Sequence, residues 1–158
     1  MIRLALYQPD IAPNAGAAMR LCACIGAGLD IIEPCGFVFD DRKLRRSGMD
    51  YIENTDIIRH GSWEKFVSAY KGKSRIILMT TKASAAYTDF EFRDGDILLA
   101  GSESAGVPAN VHSEADARIT IPMREGMRSL NVVNAAAMIL GEALRQINPF
   151  PMGRGQRS

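Results

Sequence analysis

The stretch IPMREGMRSLNVVNAAAMILGEALRQ, Ile121 to Gln146, changes character halfway along. It begins as the end of an apolar strand. Further on, Val132, Val133, Ala136, Ile139 and Leu140 recur at helical spacing, which predicts a long last helix from about Leu130 to Ile147. Between the two lies a polar turn, Arg124-Glu125-Gly126-Met127-Arg128-Ser129. Ser129, Asn131 and Asn134 then crowd the start of an otherwise apolar helix, although one side-chain oxygen suffices to cap it. The surplus has two readings: several backbone N–H groups satisfied at once, or a ligand held at the helix mouth.

The same strand-to-helix alternation runs through the chain. Apolar runs at 2–7 (IRLALY), 29–34 (LDIIEP), 75–80 (RIILMT), 96–101 (DILLAG) and 118–123 (RITIPM) predict buried strands, with a brief one near 57–60 (IIRH). Asn14 is placed to cap a helix that carries Ala17, Ala18, Leu21, Cys22 and Ile25 on one face and stops at Gly26 and Gly28. Residues 40–48 predict a short basic helix. Ser62 can cap WEKFVSAY, and Pro108 opens a short helix toward His112. Strands apolar on both faces and separated by helices define an α/β fold, a parallel sheet flanked by helices. The expected organisation is one domain over residues 1–150 and a flexible tail over 151–158. Ligands of such sheets sit beyond the carboxyl ends of the strands. The stretches to examine are therefore Asn14 to Arg20, Thr80 to Ala83, Gly101 to Pro108 and Met123 to Asn131.

Composition narrows the function classes. With 47% hydrophobic and 23% charged residues, the 158-residue chain is an ordinary globular one. No apolar run approaches the roughly 20 residues of a membrane span. The opening MIRLALYQPD lacks a signal peptide's cleavage region, so a cytoplasmic protein is expected. A net charge of +1 gives no global footprint for nucleic acid, yet Arg42, Lys43, Arg45 and Arg46 form a local basic cluster. That cluster reads either as a solvated face or as a contact for a few phosphates. Cys22, Cys24 and Cys35 read as small buried apolar residues, and no metal site is expected. Gly26-Ala27-Gly28 lacks a dinucleotide fingerprint's third glycine. Gly101 and Gly106 have P-loop spacing, but Val107 and Pro108 stand where Lys and Ser/Thr are required. There is no G-x-S-x-G elbow and no HExxH.

Three polar turns remain. They are PNAGAAMR, in which Arg20 is the only charge from Ala15 onward, GSESAGVP with Glu103, and the opening stretch. Singly, Arg20 could be a surface ion-pair partner and Glu103 a cap for the helix after Pro108. Together they occupy one edge of one sheet.

The ordered set N-x-G-x-x-x-R, G-x-E-x-x-G-[VL]-P and I-P-M-x(5)-S-L-N-x-x-x-A resembles the three motifs of SPOUT-class RNA 2′-O-ribose methyltransferases, over almost the whole chain. LYQPDIAPNAG, LCACIG, IIEPCGF, DDRKLRRSGMDY and MTTKA are similar to the small bacterial subgroup that acts on the cytidine or uridine at position 34 of tRNA. The resemblance implies a C-terminal trefoil knot, which sequence periodicity cannot show. It implies S-adenosylmethionine (SAM) as cofactor, with S-adenosylhomocysteine as product and no metal. The implied cofactor contacts are Met79, Thr80, Gly101, Ser102, Glu103, Ile121, Pro122, Met123, Ser129, Leu130 and Asn131. Arg20, Asn14, Glu103, Ser129 and Asn131 are the implied catalytic residues. Arg42, Lys43, Arg45 and Arg46 are the RNA-contact candidates. A homodimer and a tRNA partner, its anticodon stem-loop presented by tRNA-Leu isoacceptors, complete the expectation. One departure stands out: Ser104-Ala105 occupies a place where relatives often carry a Thr-Arg pair. The competing readings are a base methyltransferase of the same class, another ribose target, and a non-catalytic RNA-binding protein.

Overall fold

The apolar runs become strands because both of their faces are covered. Strands β1 (Arg3–Tyr7) and β2 (Gly28–Ile32) are buried at every position. They pair in parallel with each other, β2 with β3 (Ile57–His60) and β1 with β5 (Ile97–Ala100). Strand β4 (Ile76–Met79) lies between β5 and β6 (Ala117–Ile119), again in parallel. The sheet order is β3-β2-β1-β5-β4-β6. This is a computed structural model, and it describes residues 1–38, 40 and 55–147. Residues 41–48 of the predicted basic helix, with the four basic RNA-contact candidates, and the 151–158 tail lie outside the described residues.

Helices α1 (Ala12–Ile25) and α4 (Val132–Ile147) cover one face. Their buried positions, Ala15, Ala18, Met19 and Cys22 on α1 and Ala136, Ile139, Leu140, Ala143 and Leu144 on α4, keep helical spacing. The opposite face is covered by α2 (Trp63–Tyr70), which contributes Trp63 and Phe66, and by α3 (Ala109–Glu114), which contributes Val111. Each large apolar side chain buried this way is worth roughly 1.5–3 kcal/mol. Ser62 caps α2 as expected, its hydroxyl oxygen accepting the Lys65 N–H at 3.3 Å.

Under α2 lies a charged group within the apolar layer. Asp30 is fully buried in β2. Its carboxylate accepts Arg3 Nε–H at 2.5 Å and the Tyr70 hydroxyl at 2.7 Å, and pairs with His60 Nε2 at 2.6 Å. Arg3 also reaches Asp56. A buried carboxylate is tolerable only when charged and hydrogen-bonding partners surround it in this way. Gly28 makes room for the guanidinium, since a Cβ there would lie 2.3 Å from Arg3 Nη1. Burial and the hydrogen bond to Asp30 push the Tyr70 hydroxyl above its ordinary range.

Strand register decides where the site forms. Leu6 is level with Ala100, Ala100 with Met79, and Met79 with Ile119. The loops after β1, β5, β4 and β6 therefore leave the sheet at one edge, next to the start of α4.

Several local expectations are corrected. Helix α1 begins at Ala12, with Ile11 as its cap residue and Pro13 in the first turn, so Asn14 is not the cap. Helix α4 begins at Val132 rather than Leu130. Of the three cysteines only Cys22 is buried; Cys24 is exposed and Cys35 is intermediate.

Candidate active site

Freed from capping, Asn14 turns its amide across the sheet edge. Its Nδ2–H donates to Glu103 Oε1 at 3.1 Å, and its Oδ1 accepts Asn131 Nδ2–H at 3.1 Å. Asn131 is the true cap of α4: its Oδ1 accepts the Val133 N–H at 2.9 Å and the Asn134 N–H at 3.3 Å. One residue thus ties the last helix to the first. Glu103 does not cap α3, whose cap residue is Pro108. Its second oxygen accepts the Asp10 backbone N–H at 3.0 Å. Three loops distant in sequence are joined by one run of hydrogen bonds.

The loop that holds Glu103 is folded back on itself. Ser102 and Gly106 exchange backbone hydrogen bonds at 3.0 and 2.9 Å. A Cβ on Gly101 would lie 2.6 Å from the Gly106 carbonyl carbon, so this pinch requires glycine. Gly106 itself has φ +67°.

These loops enclose a cavity of about 580 Å³, within the range of small-molecule and cofactor sites. Of the residues named as cofactor contacts, Met79, Thr80, Gly101, Ser102, Glu103, Ile121, Met123, Ser129, Leu130 and Asn131 border it, and so does Asn14. Pro122 is exposed and does not border it. Nor does Arg20, which lies on an exposed flank of α1, about 9 Å along the helix axis beyond Asn14. The wall is divided in chemistry. Leu78, Ile121, Val132 and Ile139 supply an apolar surface, while Asn14, Glu103 and Asn131 make a polar corner. Lys82 is the only lysine or arginine among the described residues of the wall. Such a wall fits a ligand with an aromatic base at one end and a charged, hydrogen-bonding group at the other.

Strand-end reasoning already singles out the loops that hold Thr81, Lys82, Gly106 and Val107. It passes over Leu78, His112 and Thr120, which also border the cavity. It passes over Asp10 as well, whose place between β1 and α1 at the ligand edge was the available signal. Ala105 borders the cavity, so the departure from the Thr-Arg pattern falls on the site itself.

A parallel α/β sheet with a cofactor-sized cavity at its carboxyl edge, closed by asparagine side chains from two helices, has the architecture of a ligand-binding α/β protein. The chain belongs to the SpoU rRNA Methylase family, whose model matches residues 1–141, and it is a methyltransferase of the SPOUT fold. It is 57% identical over 145 residues to a tRNA (cytidine(34)-2′-O)-methyltransferase of Beijerinckia indica, covering 91% of each chain. A solved structure described as "Structural insights into the 2-OH methylation of C/U34 on tRNA" superposes with a TM-score of 0.85 at 38% identity, covering 92% of this chain and 95% of that one. The SpoU methyltransferase AviRb from Streptomyces viridochromogenes, solved with AdoMet (SAM), superposes at 0.77 with 27% identity, covering 92% of this chain and 57% of that one.

Proposed function

We propose that the protein transfers the methyl group of SAM to the ribose 2′-hydroxyl of the cytidine or modified uridine at position 34 of tRNA. The observation that carries the reading is the Asn131–Asn14–Glu103 run, which closes three loops around one cavity. The relatives' names and the AdoMet-bound neighbour support the substrate and the cofactor.

SAM supplies a methyl group already activated on a sulfonium. The protein's share of the work is orientation and management of one proton, and orientation alone can lower a barrier by about 7–11 kcal/mol. The apolar wall at Ile121, Met123 and Leu130 suits the adenine. Asn14 and Asn131 hold their amides fixed where cofactor and ribose would meet. Glu103 accepts two N–H donors and is thereby held in place. Arg20 positions the ribose or its phosphate and stabilises developing alkoxide charge; a guanidinium donates hydrogen bonds only and is not the base. The proton passes to water or to a phosphate oxygen.

The proposal includes a homodimer and the trefoil threading of the C-terminal segment. Exposure of Ile11 (44%) and Leu130 (43%), which border the cavity, and of Met127 (66%) and Met138 (43%) supports a partner surface. In a dimer, Arg20, on the exposed flank of α1 and outside the wall of its own chain's cavity, serves the cavity of the other copy. Base methylation is disfavoured, because Glu142, the acidic residue of α4, is engaged by Arg145 at 2.8 Å and by Gln146 at 2.8 Å.

The test is methyl transfer from labelled SAM to unmodified bulk tRNA, followed by nucleoside mass spectrometry. The expected product is 2′-O-methylcytidine or a 2′-O-methyluridine derivative at position 34. Label on a base, or on another ribose alone, overturns the substrate assignment.

A further inference from the structure

Asp10 belongs to none of the three motifs, yet it sits where two site loops meet. Its backbone N–H donates to Glu103 Oε2 at 3.0 Å. Its carboxylate Oδ2 accepts the Ser104 hydroxyl, from the residue next to Glu103. The loop after β1 and the loop after β5 are thus latched twice, once in each direction. From behind, the loop after β2 closes on the same residue. Gly36 N–H donates to the Pro9 carbonyl at 2.9 Å, and a Cβ on Gly36 would lie 2.7 Å from Asp10 Cβ. The remaining oxygen, Oδ1, is buried, with no hydrogen-bond partner among the described residues.

Glu103 needs such a clamp. Its loop is anchored within itself by the Ser102–Gly106 pinch, which leaves the carboxylate to be aimed from outside. Asn14 takes one oxygen and Asp10 the other. Asn14 then sets Asn131. Asp10 and Ser104 therefore stand at the head of the run of hydrogen bonds that ends at the mouth of α4. Ser104 is part of the departure from the Thr-Arg pattern. In this chain the loop is held through Ser104 to Asp10, and no arginine follows.

We propose that Asp10 is a positioning residue for methyl transfer: its carboxylate, latched to Ser104, holds the main-chain N–H that fixes the Glu103 carboxylate and through it the amides of Asn14 and Asn131. The proposal rests on the methyltransferase reading above. It places no atom of Asp10 on the cofactor or the RNA, so its effect falls on turnover rather than on cofactor affinity.

The experiment is a double-mutant cycle in the full chain, with kcat, KM for tRNA, SAM affinity and Tm measured for each variant. Asp10→Ala keeps the main-chain N–H on Glu103 but removes the Ser104 latch that holds it in place, and should lower kcat about tenfold while SAM affinity stays within about twofold of the parent. Asp10→Asn keeps an oxygen for the Ser104 hydroxyl and should recover most of that loss, which simple destabilisation would not predict. Ser104→Ala should reproduce the Asp10→Ala effect in part. In a Glu103→Gln background, Asp10→Ala should change kcat by less than about twofold, because its route to the site is already cut. An unchanged kcat in Asp10→Ala, or a full tenfold effect on top of Glu103→Gln, overturns the proposal and leaves the methyltransferase reading intact. A folded, SAM-binding parent that methylates no tRNA overturns both.

Discussion

Two carboxylates organise this molecule, and they do it in opposite surroundings. Asp30 is sealed beneath α2, and its three partners, Arg3, His60 and Tyr70, come from β1, β3 and α2. Glu103 sits half-buried on a loop, and its two donors, Asp10 and Asn14, come from the loop after β1 and the first turn of α1. The first cluster spends its hydrogen bonds on holding strands together. The second holds loops whose edges remain open to a ligand. Both are networks around an anion, and only their access to solvent and to the cavity separates structure from function.

The contrast can be broken most directly at Asp30. Replacing it with Ala leaves Arg3 and His60 buried beside a lost partner, and removing one member of a buried ion pair costs about 3–5 kcal/mol. A urea or thermal unfolding series should show that loss, with cofactor affinity per folded molecule unchanged. A loss below about 1 kcal/mol would dissolve the distinction. The mirror experiment is Glu103→Gln. It should lower kcat about 100-fold, the scale of a displaced site, with Tm within a few degrees of the parent. A large drop in Tm with intact turnover would make Glu103 a second Asp30.

Asn131 sharpens the comparison because it does both jobs. Asn131→Ala should cost about 1 kcal/mol as a lost helix cap and should also lower activity. Asn131→Asp keeps the oxygen that caps α4 but loses the N–H given to Asn14. It should therefore restore the stability and not the activity. If the two variants match in both measurements, the cap and the site are one function.

The smallest effect is expected at Glu142, an anion that belongs to neither network. Hydrogen bonds from Arg145 first and Gln146 second hold its carboxyl down at about 2. A depressed carboxylate stabilises the fold above its unfolded pKa, near 4.5, and that contribution fades as pH falls toward 2. Tm of the parent and of Glu142→Gln should therefore differ slightly at neutral pH and converge below about pH 4.5. A gap that widens in acid would reverse the sign of this account.

The strands were readable because runs such as RLALY and ILLA are buried on both faces, and no other element accommodates that pattern so cheaply. Helix α2 was readable from Ser62 and its one-sided aromatic stripe. The α1 start was misread because Asn is both a good cap and a good cross-linker. Local spacing cannot tell which use a fold makes of it. Ser129, Asn131 and Asn134 looked redundant for the same reason; in the fold one of them caps and one is capped. Pro122 lies between two residues that border the cavity, Ile121 and Met123, and does not border it itself, a difference that no sequence spacing conveys.

By itself, then, the sequence determined the layered α/β class, the edge at which a ligand sits and the three turns that line it. Those follow from periodicity and from residue types that act over a few positions. Only the tertiary structure decided that Asn14 faces Glu103 and Asn131, that Asp10 latches to Ser104, and that Arg20 lies outside its own chain's cavity wall. These are contacts between residues up to 117 positions apart. Strand register and helix placement bring them together, and no local preference encodes their pairing.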